Sequence, residues 1–82
     1  MRIEIITPTE TLPPMEATAA ELPAVTGRMF ILKGHQPLVC ALDAGHTMVE
    51  SDGERNVWET GAGTMMLHND VITLLVKSAK QL

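Results

Sequence analysis

The sequence predicts an all-β fold, a sandwich or a barrel, and three observations carry that prediction. Short apolar runs recur every 8–12 residues or so, with turn residues between them. Several of these runs alternate with period two: Ile3 and Ile5 against Arg2 and Glu4, and Leu38, Cys40 and Leu42 against Val39 and Ala41. Asp52-Gly53 stands between two extended runs, the strongest short-range signal for a hairpin.

Taken in order, residues 2–7 read as the first strand, and Thr7-Pro8-Thr9 as a turn with proline in a natural position. Pro13-Pro14 confines Thr11 to Met15 to an edge or a bulge, because proline has no N–H to give a ladder. Glu16 to Leu22 carries Ala17, Ala19 and Ala20, which favour helix on propensity. The segment is too short for an uncapped helix and its neighbours read as strand, so it is assigned as strand. Pro23 to Gly27 reads as a loop. Met29 to Leu32 and Leu38 to Leu42 then read as the two arms of a hairpin, tipped by Lys33-Gly34-His35-Gln36-Pro37 at the surface. Asp43-Ala44-Gly45 is the next turn. His46 to Glu50 pairs with Arg55 to Thr60 across Asp52-Gly53, and Gly61-Ala62-Gly63 bends the chain as glycine does at a bulge or sheet corner. Thr64 to His68 follows, then the Asn69-Asp70 turn. Val71 to Lys77 is apolar on both faces, which places it in the middle of the structure. The tail from Ser78 has helical character but ends before a helix could form.

The chain has 82 residues, so one domain, residues 1–82, is expected. A hydrophobic content of 45% suits a packed domain rather than a disordered one. The net charge of −4 excludes the basic footprint of a nucleic-acid binder. Phe30 and Trp58 are the only aromatic residues, too few for a base- or sugar-stacking platform, and the six methionines take over part of the packing role. A single cysteine leaves no internal disulfide and points to a cytoplasmic setting. No apolar run approaches the roughly 20 residues that span a bilayer, and Arg2 to Ile6 is too short and too charged for the core of a signal peptide.

Candidate chemistry is sparse. His35, His46 and His68 lie far apart with no His-x-His or Cys-x-x-Cys pair, so ordinary polar histidines at strand ends are expected rather than metal ligands. Cys40, on an alternating strand between Leu38 and Leu42, reads as a small buried hydrophobe and not as a nucleophile. Gly61-Ala62-Gly63-Thr64 lacks the lysine and the helix of a phosphate loop. Glu10, Glu16, Asp52 and Glu54 fall in turns without an apolar pocket to raise a pKa. The Lys33 to Gln36 turn differs: it is a compact set of donors suited to a partner's polar groups, or simply a tight turn.

The order of motifs resembles the epsilon subunit of F-type ATP synthase (delta in mitochondria), in its N-terminal β-sandwich. The resemblance rests on Gly27, Met29, Ile31, Gly34-His35-Gln36-Pro37-Leu38 and Leu42, then Ala44-Gly45. The opening Ile5-Ile6-Thr7-Pro8-Thr9, Glu21-Leu22-Pro23, Gly61-Ala62-Gly63 and Val71-Ile72-Thr73-Leu74-Leu75 extend it along the whole chain. It implies a two-sheet β-sandwich of about ten short strands, with no catalytic residue, no cofactor and no metal. It implies a rotor subunit of the central stalk of a proton-translocating synthase, bound to the gamma subunit and to the polar loops of the c-ring. The expected location is the cytoplasmic face of the bacterial inner membrane, as a peripheral component. Positions of the family that lie near the ring match Arg28, Gly34 and His35.

Three residues depart from the family: Arg28 stands where an acidic residue is common, Phe30 replaces a glycine and Lys33 a proline. The family's C-terminal helical hairpin, which carries ATP binding and inhibition of hydrolysis in many members, is expected to be absent, so neither activity is carried over. Two other functions compete on the residues alone. One is a free-standing β-sandwich interaction module. The other is a small metal-dependent β-barrel enzyme using His35, His46, His68 and glutamates.

Overall fold

A computed structural model describes residues 1–82 as ten strands without a helix. They are β1 (Arg2–Ile6), β2 (Met15–Glu16), β3 (Ala19–Ala24), β4 (Gly27–Leu32), β5 (Leu38–Leu42), β6 (Gly45–Ser51), β7 (Glu54–Thr60), β8 (Gly63–His68), β9 (Val71–Val76) and β10 (Ala79–Gln81). Turn chemistry sets the tightest connections. Asp52 and Gly53, at φ 48° and 80°, join β6 to β7 with Ser51 opposite Glu54. Asn69 and Asp70, at φ 51° and 60°, join β8 to β9 with His68 opposite Val71. Both are two-residue turns with two left-handed residues, whose twist matches that of the strands they connect.

The strands pair in the order β10-β7-β6-β3-β5-β8-β9-β1-β2, with β4 on the other side of β3. A single register pair, Ala24 with Leu42, joins β3 to β5. The sheet folds over at that point. One layer is β4-β3-β6-β7-β10 and the other is β5-β8-β9-β1-β2. All pairings are antiparallel except β1 with β9. The predicted β-sandwich of ten strands is therefore observed, as one curled sheet packed on itself.

Its core takes alternate residues from both layers: Leu22, Ile31 and Val49 from one, and Ile3, Ile5, Met65, Ile72 and Leu74 from the other, all essentially fully buried. Each such side chain contributes about 1.5–3 kcal/mol by leaving water. Two buried hydroxyls satisfy each other: Thr47 and Thr60 share a hydrogen bond at 3.0 Å, and Thr60 also donates to the Gly45 carbonyl at 3.3 Å.

Four sequence expectations change. First, β4 and β5 are not the arms of a hairpin. β4 pairs along its length with β3, while β5 pairs with β8. The two-residue link Val25-Thr26, closed by Gly27 at φ 128°, makes β3 and β4 neighbours, and the longer Lys33 to Pro37 segment carries the chain from one layer to the other. Second, Pro23 and Ala24 belong to β3 rather than to a loop. Proline is tolerated because β3 ceases to pair with β6 after Glu21 and meets β5 only at Ala24, so the missing N–H breaks no ladder; the Pro23 carbonyl still accepts Asp43 N–H at 2.8 Å. The preceding segment divides into β2 and the start of β3. Third, the tail does not tend to helix. Ala79, Lys80 and Gln81 extend the free edge of β7, opposite Thr60, Glu59 and Trp58, because an unpaired edge offers a ready ladder. Fourth, β9 is central in its layer but buried on one face only. Ile72, Leu74 and Val76 are inside, whereas Leu75 lies on the surface.

Candidate functional site

Arg28, Gly34 and His35 all belong to β4 or its exit, but the strand holds them apart. From Arg28 to Leu32 alone the rise is about 13 Å at ~3.3 Å per residue. The three residues therefore mark two ends of one free sheet edge rather than a single pocket.

At the first end, Arg28 is already engaged. Its Nε donates to Glu21 Oε1 at 3.2 Å and its Nη1 to the His46 carbonyl at 2.7 Å. The side chain thus crosses from β4 over β3 to β6. At the other end, Lys33 to Pro37 are all exposed. Gly34 has φ 84°, a conformation that a Cβ would oppose. The turn is closed by His35 N–H donating to the Leu32 carbonyl at 3.2 Å. Gly34 N–H donates to Asp70 Oδ1 at 3.0 Å, which ties this turn to the β8–β9 turn of the opposite layer. His35 Nδ1 lies 2.8 Å from the Gln36 carbonyl. A carbonyl only accepts, so Nδ1 carries the proton and Nε2 is left for a partner. Between the two ends Phe30 and Leu32 point outward, 57% and 58% exposed.

A second surface lies on the outer face of the other layer. Register places Val39, Met66, Thr73 and Glu4 in one row and Ala41, Thr64, Leu75 and Ile6 in the next. Val39 is 69% exposed, and Met66 and Leu75 are also open to solvent. A shallow groove lined by Ile6, Pro8, Ala62, Leu75 and Val76 continues the apolar character to one end of the face. Sequence reading missed this surface, although the signal was present: Val39, Ala41 and Leu75 are apolar at positions facing away from the core.

Other candidates fall out differently. His35, His46 and His68 do not converge, and no group of three or more His, Cys, Asp or Glu side chains is placed to hold a metal ion. Cys40 is half-buried between core and surface, and burial pushes its thiol above the ordinary value. A raised pKa keeps a thiol protonated, the opposite of what a nucleophile requires. Asp70 and Glu21, which position the turn and hold Arg28, were not singled out from sequence, because cross-strand partners depend on a register that spacing alone does not fix.

The fold is a two-layer β-sandwich that presents two distinct surfaces, an apolar outer face and a free strand edge. The match to known proteins gives it a family: residues 1–82 fit the ATP synthase, Delta/Epsilon chain, beta-sandwich domain, and the chain belongs to that family. It is 33% identical over 81 residues to the ATP synthase epsilon chain of Lawsonia intracellularis, covering 99% of this chain and 61% of that one. To the chloroplastic epsilon chain of Guillardia theta it is 37% identical, covering 99% and 62%. The chain thus spans about three-fifths of the length of these relatives. The fold is also similar to a chain in the mitochondrial ATP synthase structure of Euglena gracilis (OSCP, F1 and c-ring), with a TM-score of 0.86 at 20% identity over 96% of this chain and 51% of that one.

Proposed function

We propose that this chain works as a non-catalytic rotor component of an F-type ATP synthase. In this reading it docks on the gamma subunit through the outer face of β5-β8-β9-β1 and meets the c-ring loops along the β4 edge, from Arg28 to Gly34 and His35. It sits peripherally at the membrane surface as part of the F1 sector and helps carry ring rotation to gamma. The single observation that carries the reading is the family match over residues 1–82.

The surfaces support it physically. A coupling element needs two separate contact faces on a stiff body, and here one face is an apolar sheet and the other an open strand edge. The apolar rows centred on Val39, Met66 and Leu75 suit a large, mostly dry contact, the kind a permanent subunit interface uses. The β4 edge, with its exposed turn and the available His35 Nε2, suits short polar loops.

The test is co-purification with the cognate gamma subunit. The intact chain should form a stoichiometric complex, and Val39→Glu with Leu75→Lys should abolish it while leaving the unfolding transition in place, since both side chains are on the surface. No complex between the two folded wild-type proteins would overturn the assignment.

A further inference from the structure

We infer that Asp70 is a positioning residue that sets the Gly34–His35 turn, and that it joins the proposed ring-facing edge to the proposed gamma-facing sheet. The role assigned to the turn rests on the functional reading above; the tie itself does not.

The observation is one bond between layers. Lys33 to Pro37 are exposed throughout, so apolar packing does little to fix the segment. Its own closure is the His35 N–H bond to the Leu32 carbonyl. That bond holds the turn to β4 but leaves its angle to the rest of the molecule open. The Asp70 carboxylate supplies the missing constraint by accepting Gly34 N–H at 3.0 Å. Asp70 is itself well anchored: it occupies a left-handed position at φ 60°, and its carbonyl accepts Arg2 N–H at 2.9 Å. It therefore belongs to the β8–β9 and β1 framework, whose outer face carries Met66, Leu75 and Ile6. An acceptor fixed there and a donor on the turn link the two surfaces across the crossover.

Geometry also explains the residue type. The position needs a side chain that tolerates the left-handed region and offers an acceptor three bonds from Cα. Asp and Asn meet both needs, glycine only the first and alanine neither.

That difference provides the test. Asp70→Asn keeps the conformation and an acceptor. Asp70→Gly keeps the conformation and removes the acceptor, so loss of the tie is separated from strain in the turn. Amide hydrogen exchange on the intact chain should show Gly34 exchanging about tenfold faster in Asp70→Gly and near the wild-type rate in Asp70→Asn, with the β8–β9 ladder amides unchanged in both. The His35 ring resonances should shift in the glycine variant alone. Capture on isolated c-ring should weaken several-fold for Asp70→Gly and return with Asp70→Asn, while gamma capture stays at the wild-type level. Unchanged Gly34 exchange in Asp70→Gly would overturn the positioning role whatever the binding results. Altered exchange with c-ring capture unmoved would overturn the link to the ring-facing surface. Failure of the wild-type chain to bind gamma would count against the functional reading and not against the tie.

Discussion

Arg28 offers the sharpest test of the structure. The guanidinium spans three strands, accepted by Glu21 on β3 and by the His46 carbonyl at β6. The Glu21 pair is partly exposed, with side chains 46% and 30% accessible for Arg28 and Glu21, which places it at about 0.2–1 kcal/mol. The bond to the His46 carbonyl adds about 1 kcal/mol. Arg28→Ala should therefore cost about 1–2 kcal/mol, or roughly 4–16 °C in Tm for a chain of this size. Arg28→Glu should cost more, because it sets two carboxylates diagonally across β3 and β4, where like charges repel by a few tenths of a kcal/mol to about 1. A double-mutant cycle on Glu21→Ala and Arg28→Ala, followed by thermal unfolding, should return a coupling energy in the range of the pair alone, falling toward zero in 1 M salt where screening reaches about 3 Å. The carbonyl bond should persist, so Arg28→Ala remains destabilising at high salt. Additive single variants, or an Arg28→Ala protein with unchanged Tm, would refute the clamp. This matters for the proposed ring contact, since an effect of Arg28→Glu on it is informative only after the loss of stability has been measured.

Three further outcomes are expected. A methyl at Gly63 would overlap the Leu75 carbonyl oxygen and stand 2.8 Å from Val76 Cα, so Gly63→Ala should force β8 from β9 and cost about 1–3 kcal/mol in urea unfolding; an unchanged midpoint would mean that the ladder yields freely. Burial raises the Cys40 thiol above 9.0, so above about pH 9 the unfolded chain gives up a proton that the folded chain keeps. On this account stability should be level at neutral pH and fall as pH rises past the ordinary thiol value, and Cys40→Ala should lack that part of the slope in matched urea titrations. The indole N–H of Trp58 is buried without a partner, so Trp58→Phe should relieve an unmet donor and cost less than about 1 kcal/mol, against the 3–5 typical of Trp→Ala; equal losses by circular dichroism would show that the N–H is satisfied.

What could be read from residues alone was local. Ile3 and Ile5, or Leu38, Cys40 and Leu42, declare their inward faces because the period of a strand is written in side-chain polarity. Asp52-Gly53 declares its turn because few other residue pairs adopt two left-handed conformations. What could not be read depends on partners distant in sequence. Ala79 to Gln81 have no strong strand propensity and become a strand because β7 has a free edge beside them. Leu75 looked internal because apolarity marks a core and an interface alike. The likeness to a known family put forward Arg28, Gly34 and His35 as candidates, and only the register shows that Arg28 is held by Glu21 and His46, and that the turn is held by Asp70.

The segment from Lys33 to Pro37 shows why this distinction bears on function. As the tip of a hairpin it would answer to two adjacent strands and could bend with them as a unit. As a crossover it leaves β4 in one layer and enters β5 in the other, so its position depends on how the layers are fixed to each other. That relation is set by the β3–β5 pair at Ala24 and Leu42 with its flanking bonds from Val25 N–H to the Ala41 carbonyl and from Asp43 N–H to the Pro23 carbonyl, by the Ser51 hydroxyl bond to the Glu16 carbonyl between β6 and β2, by the shared core and by the Gly34–Asp70 bond. Under the proposed function, in which the chain is loaded at an edge and held at a face, force passes from one layer to the other. The chain's stiffness under such load is then governed by these cross-layer ties rather than by the hydrogen-bonded ladders, each of which runs within a layer. Substitutions in the shared core, such as Val49→Ala on β6, should therefore loosen the turn, read as faster Gly34 amide exchange, even though the side chain lies two strands from β4. The same change in volume confined to one layer's outer face should leave the turn alone.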